Sequence, residues 1–274
     1  MDKLEVKQYL ENIFHQEIQL YRTDKGISNV SYLMRMDDQA YMVRVPKKEH
    51  GLLRVDFKNE YEVLQKVKAL DVPLVWMDVH KGIKVTKYIE DVHEFSEVKD
   101  STKYEQTGKM LKTLHCLDGV DFYFDPFKKL SEYRSQVKER IVFFEEEEKI
   151  IEAIFSIYRP DTLCHNDVVS GNLLFSNCRS YLIDYEYAAM NDFRFDLASF
   201  FSENQIEDER SRQLFYIGYG IESSIDPEIR LFECFEDILW GYWANMLYDH
   251  SKEEIYRIIA KEKEAHFQRT KAMI

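Results

Sequence analysis

Cys164-His165-Asn166-Asp167-Val168-Val169-Ser170-Gly171-Asn172-Leu173-Leu174-Phe175, followed by Tyr181-Leu182-Ile183-Asp184-Tyr185-Glu186-Tyr187, is the stretch whose reading decides the fold. A short apolar run delivers a polar loop, a second run leaves it, the chain turns at Ser176-Asn177, and a third run ends in an aspartate. That pattern predicts an island of β-structure set among helices. Two carboxylates and an amide gathered this way can do two jobs. One carboxylate accepts or orients the proton of an attacking hydroxyl. The amide and the other carboxylate offer hard oxygen ligands to Mg²⁺. Phosphoryl transfer asks for little else, because alignment and neutralisation of phosphate charge do most of the work.

Working outward, the upstream chain predicts a small antiparallel sheet. Residues 4–14 form an amphipathic helix, with Val6, Leu10 and Ile13 on one side. Strands follow at 18–21, 30–36, 40–45, 75–78 and 83–89, with turns at Asp37-Asp38-Gln39 and His80-Lys81-Gly82. A helix at 58–70 interrupts them. Downstream, helices are expected at 102–115, with Thr102 and Glu105 as a capping box, and at 131–158. Asp226-Pro227 reads as the N-cap and first turn of a long helix to about residue 250. The expected fold class is α+β and bilobal, with a nucleotide-binding lobe over 1–88 and a mainly helical catalytic and substrate-binding lobe over 89–274.

Composition narrows the function classes. The net charge of −13, from 37 basic and 50 acidic residues, argues against nucleic acid as a partner, since phosphate backbones need a basic footprint. The run Glu145-Glu146-Glu147-Glu148 is expected to be a solvated helix face. No apolar run reaches membrane-spanning length, and the charged start is unlike a secretory signal. Four scattered cysteines fit a reducing cytoplasm.

His165-Asn166-Asp167 with Gly171-Asn172, Ile183-Asp184-Tyr185-Glu186-Tyr187 and Phe195-Asp196-Leu197-Ala198 together resemble the choline/ethanolamine kinase family, relatives of the aminoglycoside phosphotransferases, and bacterial members most of all. The protein-kinase version differs: it has arginine where Asn166 stands and Phe-Gly where Tyr185-Glu186 stand. The resemblance implies a protein-kinase-like fold, ATP and Mg²⁺ as cofactors, Asp167 as catalytic base, and Asn172 and Asp184 as metal ligands. It places Glu186 near the metal and gives His165 and Asp196 structural roles around the catalytic loop.

On the nucleotide side, Ser28 and Asn29 match a segment that covers ATP in the family. Arg44 is expected as the phosphate cation, since a guanidinium grips two oxygens and keeps its proton. Glu60 shares a helix face with Leu64 and Val67, which makes it the expected partner of Arg44. Tyr88 and Ile89 sit where the family's hinge backbone meets adenine.

On the acceptor side, Trp240-Gly241-Tyr242-Trp243 puts two indoles on one helix face. Indole pairs on helices are usually core. Here the spacing matches the family's choline pocket, and a quaternary ammonium, having no N–H donors, is recognised by aromatic faces. Gly241 would let a neighbour approach the backbone closely. Tyr187 and Glu203 match pocket positions, with Asp167 at the reacting hydroxyl, while Tyr256 and Phe267 are candidates for a closing ring. The acceptor implied is choline or a related amine. Rival readings are a kinase for ethanolamine, thiamine or an aminoglycoside, and a catalytically inactive kinase-shaped binding module.

Overall fold

The computed structural model describes residues 1–23, 29–47 and 55–274. Ser28 lies outside them. The chain divides into two compact units, residues 1–93 with 174–187, and residues 94–173 with 188–274.

The first unit is built on a five-stranded antiparallel sheet in the order β1-β2-β3-β5-β4. Its strands are β1 (Gln19–Thr23), β2 (Asn29–Met36), β3 (Gln39–Pro46), β4 (Leu74–Asp78) and β5 (Ile83–Lys87). Local chemistry fixes the hairpins. Asp37 and Asp38 both take positive φ, 48° and 56°, the pair of left-handed residues that matches the twist of adjoining strands. Gly82 turns β4 into β5 at φ 68°, and a Cβ there would lie 2.4 Å from the Phe57 ring. Helix α1 (Lys3–Phe14) starts with Asp2 and Glu5 in a reciprocal capping box. Its Val6 and Leu10 are buried with Ile18, Met34, Val43 and Val85 in the core. Helix α2 (Phe57–Lys66) is capped by Asp56. The short strands β8 (Leu173–Phe175) and β9 (Ser180–Leu182) form a hairpin, and the Leu182 amide donates to Leu70 at 3.0 Å. Between β5 and this hairpin the chain forms the two-residue strand β6 (His93–Glu94).

The second unit is helical: α3 (Thr102–His115), α4 (Pro126–Gln136), α5 (Glu147–Ile157), α6 (Phe193–Glu203), α7 (Glu209–Tyr219), α8 (Asp226–Ser251) and α9 (Glu254–Lys271). An antiparallel pair, β7 (Thr162–Cys164) and β10 (Ala189–Asn191), brackets residues 165–188 in sequence. Helices α3 and α7 touch through their backbones. A Cβ on Gly108 would lie 2.3 Å from the Phe215 carbonyl oxygen, and one on Gly218 would lie 2.1 Å from that of Glu105. The antiparallel sheet followed by a helical unit is the expected α+β class.

Two local expectations are corrected. The helix expected over 131–158 is two helices, α4 and α5, with 137–146 between them. There the amides of Lys138 and Glu139 donate to the Asp249 carboxylate and that of Ile141 to Asn245 Oδ1, so partners on α8 replace helical bonds. The glutamate run is solvated as expected at Glu145, Glu146 and Glu148 where α5 starts, while the less exposed Glu147 accepts from Arg140 and Tyr242. Neither expected side-chain cap forms at α3 or α8. Asp100 accepts the Thr102 amide, and Asp226 lies within α8, where its carboxylate binds Arg212, Tyr216 and Arg230.

Candidate active site

In the first unit, β3 and β5 present Arg44 and Lys84 as cross-strand partners, with Glu60 of α2 between them. The Glu60 carboxylate binds Arg44 through one oxygen and accepts from Lys84 Nζ at 2.8 Å through the other. Glu60 is 1 % exposed. Burial works against its charge, but the two cations outweigh that and lower its pKa. Burial likewise opposes the Arg44 charge, and Glu60 and Glu186 more than restore it. The guanidinium also pairs with Asp184 and lies 3.5 Å from Glu186. Asn29, opening β2, donates to Glu186 at 3.1 Å. Arg44, Glu60, Asp184, Glu186 and Asn29 are therefore gathered in one charged cluster.

Asp184 holds φ 69°, a left-handed conformation uncommon for a residue with a Cβ, and Asn166 in the second unit holds φ 65°. Such backbone persists where the surroundings over-determine it, often at functional sites. Tyr88 is 42 % exposed, and its amide donates to the Ala40 carbonyl at 3.1 Å. Ile89 and Tyr187 are half-buried in the same unit.

In the second unit, α6 holds the loop at 165–172 along one face. Asp196 accepts the main-chain amides of His165 and Asn166, both at 2.7 Å. Ser199 Oγ accepts the Val168 amide at 3.0 Å, and Asn204, at the end of α6, donates to the Val168 carbonyl at 3.0 Å. Asn191 of β10 donates to Asn166 Oδ1 at 2.6 Å. His115 of α3 adds a contact of 2.9 Å from Nε2 to Asp196 and another of 2.8 Å from Nδ1 to the Tyr219 hydroxyl. His115, Cys164 and Asp196 bring possible metal donors within 4.8 Å of one another. The bonds just named already engage the histidine and the aspartate, so the trio acts as a brace.

The half-buried Asp167 emerges from this frame. Asn172 ends the loop and donates through Nδ2 to the Asp167 carbonyl at 2.9 Å and to its carboxylate at 3.1 Å. Both oxygens are thereby held toward the amide nitrogen, and Asn172 Oδ1 is the atom left to offer a cation.

On α8, Trp240 and Trp243 meet edge to face, 6.1 Å apart at 90°. Tyr256 of α9 meets Trp243 in the same way, 5.8 Å apart at 88°. Both indoles are half-buried on a helix otherwise buried around them. Three rings set perpendicular in sequence make walls, not a stack. Of the two candidates for a further ring, Tyr256 lies against Trp243. Phe267 is fully buried against Phe144. Gly241 does not face a ligand: a Cβ there would lie 2.5 Å from the Phe144 ring, so the close approach is internal packing. Glu203, expected to bring negative charge, accepts from Lys263 Nζ at 2.5 Å.

Sequence reasoning missed Lys84, His115, Ser199 and Lys263. Lys84 alone left a signal: an inward lysine on the strand beside Arg44 requires an acid between the two.

A sheet carrying a buried Arg–Glu pair and a helical unit carrying a braced Asp–Asn loop are the parts of a kinase-like phosphotransferase. The chain belongs to the phosphotransferase enzyme family, whose model matches residues 21–232. It is 23 % identical to protein LicA of Haemophilus influenzae over 268 residues, which cover 88 % of this chain and 77 % of that protein. Its fold is similar to a crystal structure of LicA in complex with AMP, with TM-score 0.78 and 22 % identity over 98 % of this chain and all of that one. It is also similar to that of the choline kinase LicA from Streptococcus pneumoniae, with TM-score 0.77 and 24 % identity over 98 % and 96 % of the two chains.

Proposed function

We propose that the protein transfers the γ-phosphoryl group of ATP to the hydroxyl of choline. The observation that carries the choline assignment is the perpendicular set Trp240, Trp243 and Tyr256, part-exposed aromatic walls suited to a cation without N–H donors. The similarity to the choline kinase LicA from Streptococcus pneumoniae supports the same reading.

In this reading Asp167 accepts the proton of the choline hydroxyl as its oxygen bonds to the γ-phosphorus, while the bond to the β–γ bridging oxygen breaks and ADP leaves. Arg44 grips phosphate, and Glu60 holds Arg44 in place from the far side. Asn29, with Ser28 beside it in sequence, offers donors to phosphate, and the main chain at Tyr88 and Ile89 meets the base. Asn172, Asp184 and Glu186 would hold Mg²⁺. The donor set fits, since all three offer hard oxygens and the two carboxylates already gather round a positive group. The ion supplies charge neutralisation on the transferring phosphate. Asp167, Tyr187, Glu203, Trp240 and Trp243 serve the acceptor, and His165 and Asp196 hold the loop. We place the reaction in the cytoplasm, in keeping with four free cysteines and with no described helix long and apolar enough to cross a membrane.

The test is ADP release across choline, ethanolamine, thiamine and an aminoglycoside. The highest kcat/KM is expected for choline. A higher value for another amine moves the assignment to that amine, and no release with any of them defeats the kinase reading.

A further inference from the structure

Glu236 stands on α8 one turn before Trp240 and two before Trp243, so the three side chains share a stripe of the helix. Its side chain is fully buried, and neither carboxyl oxygen has a hydrogen-bond partner among the described residues. Trp243 Nε1, farther along the stripe, also lacks one. Buried polar groups are normally paired, and each exception calls for a reason.

The surroundings sharpen the anomaly. Glu236 lies among Asp196 and Glu203 from α6, Asp237 from α8 and Lys263 from α9. Lys263, the cation of that group, is engaged: it donates to Glu203 at 2.5 Å and to Ser202 Oγ at 3.1 Å, and lies 3.7 Å from Asp237. Asp237 in turn holds His266 Nδ1 at 2.6 Å. Glu236 is the acid left over. Burial first, then the neighbouring Glu203, push its carboxyl well above the usual range.

We propose that Glu236 is a specificity-determining residue for the acceptor, the buried counter-charge for the amine held against Trp240 and Trp243. This rests on the amine-kinase reading above. A cation entering the aromatic walls supplies the positive charge that the acidic cluster lacks. Glu236 then gives its proton to solvent and remains as carboxylate, so one proton leaves for each cation bound. A neutral molecule of the same shape cannot drive that ionisation. Rings alone favour a cation over its neutral isostere modestly; a buried carboxylate widens the gap.

The experiment compares choline with 3,3-dimethylbutan-1-ol, its uncharged carbon isostere, as acceptors for wild type and Glu236→Gln. The variant is expected to raise the choline KM about tenfold or more, as loss of a buried charge partner does. The KM for ATP and the KM for the isostere should stay within about twofold, since neither interaction involves the charge. Calorimetry of choline binding in buffers of different ionisation heat should show about one proton released by wild type and none by Glu236→Gln. Unchanged preference for choline over the isostere in a folded Glu236→Gln variant would overturn the proposal. So would zero protons released by wild type, a result that needs no variant. A wild type inactive on every amine defeats the kinase reading itself, and the proposal with it.

Discussion

Arg44 and Lys84 face each other across the β3–β5 ladder, and both bind the single carboxylate of Glu60. Two like charges on adjacent strands would repel, and the acid between them offsets that repulsion. Glu60→Ala takes from Lys84 its carboxylate and leaves Arg44 to Asp184 and Glu186, and removing one member of a buried ion cluster costs roughly 3–5 kcal/mol. Urea melts should show that loss together with a raised KM for ATP. Stability within about 1 kcal/mol of wild type would mean the cations find other partners.

Asp167→Asn should lower kcat by a factor of about 10²–10⁴, the usual cost of removing a general base. Nucleotide affinity should be nearly unchanged, because Asn172 can still bond the Asp167 main-chain carbonyl, which the substitution leaves in place. Turnover within about tenfold of wild type would remove the residue from the proton path.

Asp184→Asn should abolish Mg²⁺-supported turnover more completely than Glu186→Gln. The Asp184 side chain is 26 % exposed beside Arg44, whereas that of Glu186 is 3 % exposed and held by Asn29. Turnover measured against Mg²⁺ concentration separates them. Equal, mild effects would mean that neither is a principal ligand.

Trp243→Ala should raise the choline KM by about tenfold or more, with kcat little changed, because an aromatic wall binds ground and transition states alike. Tyr256→Phe, which keeps the ring, should leave KM within about twofold, while Tyr256→Ala should follow Trp243→Ala. A folded Trp243→Ala enzyme with unchanged KM would return the indole to the core.

Asp71 gives a test by pH. It is buried, and burial pushes its carboxyl up to about 6. In the unfolded chain an aspartate titrates near pH 4. The folded state therefore holds the proton to higher pH, and stability from this group is lost as pH rises from about 4 through 6. The full difference approaches about 3 kcal/mol. Asp71→Asn should flatten that part of the stability–pH curve and raise stability at neutral pH. Parallel curves for wild type and variant would show that Asp71 titrates normally.

What the sequence disclosed followed how local each cause was. The catalytic loop was legible because its strands, turn and polar residues lie within about two dozen positions. The Arg44–Glu60 pair was legible from helix periodicity, since only Glu60 shares a face with apolar neighbours. The break between α4 and α5 was not, because its causes are Asn245 and Asp249, more than a hundred residues away. The pairing of Glu203 with Lys263 was hidden for the same reason, with 60 positions between them. Gly241 misled differently: a glycine announces a close neighbour without saying which, and here it is Phe144.

The seam at Gly108 and Gly218 reaches farther than its size suggests. α3 is the helix that brings His115 to Asp196, and Asp196 holds the amides on which Asp167 is mounted. Added bulk at either glycine acts as a wedge, and the helix it drives outward is the arm that carries the brace. Mutational tolerance should therefore be lower at this seam than at the half-buried rings of Trp240 and Trp243, which bear on no part of the mount.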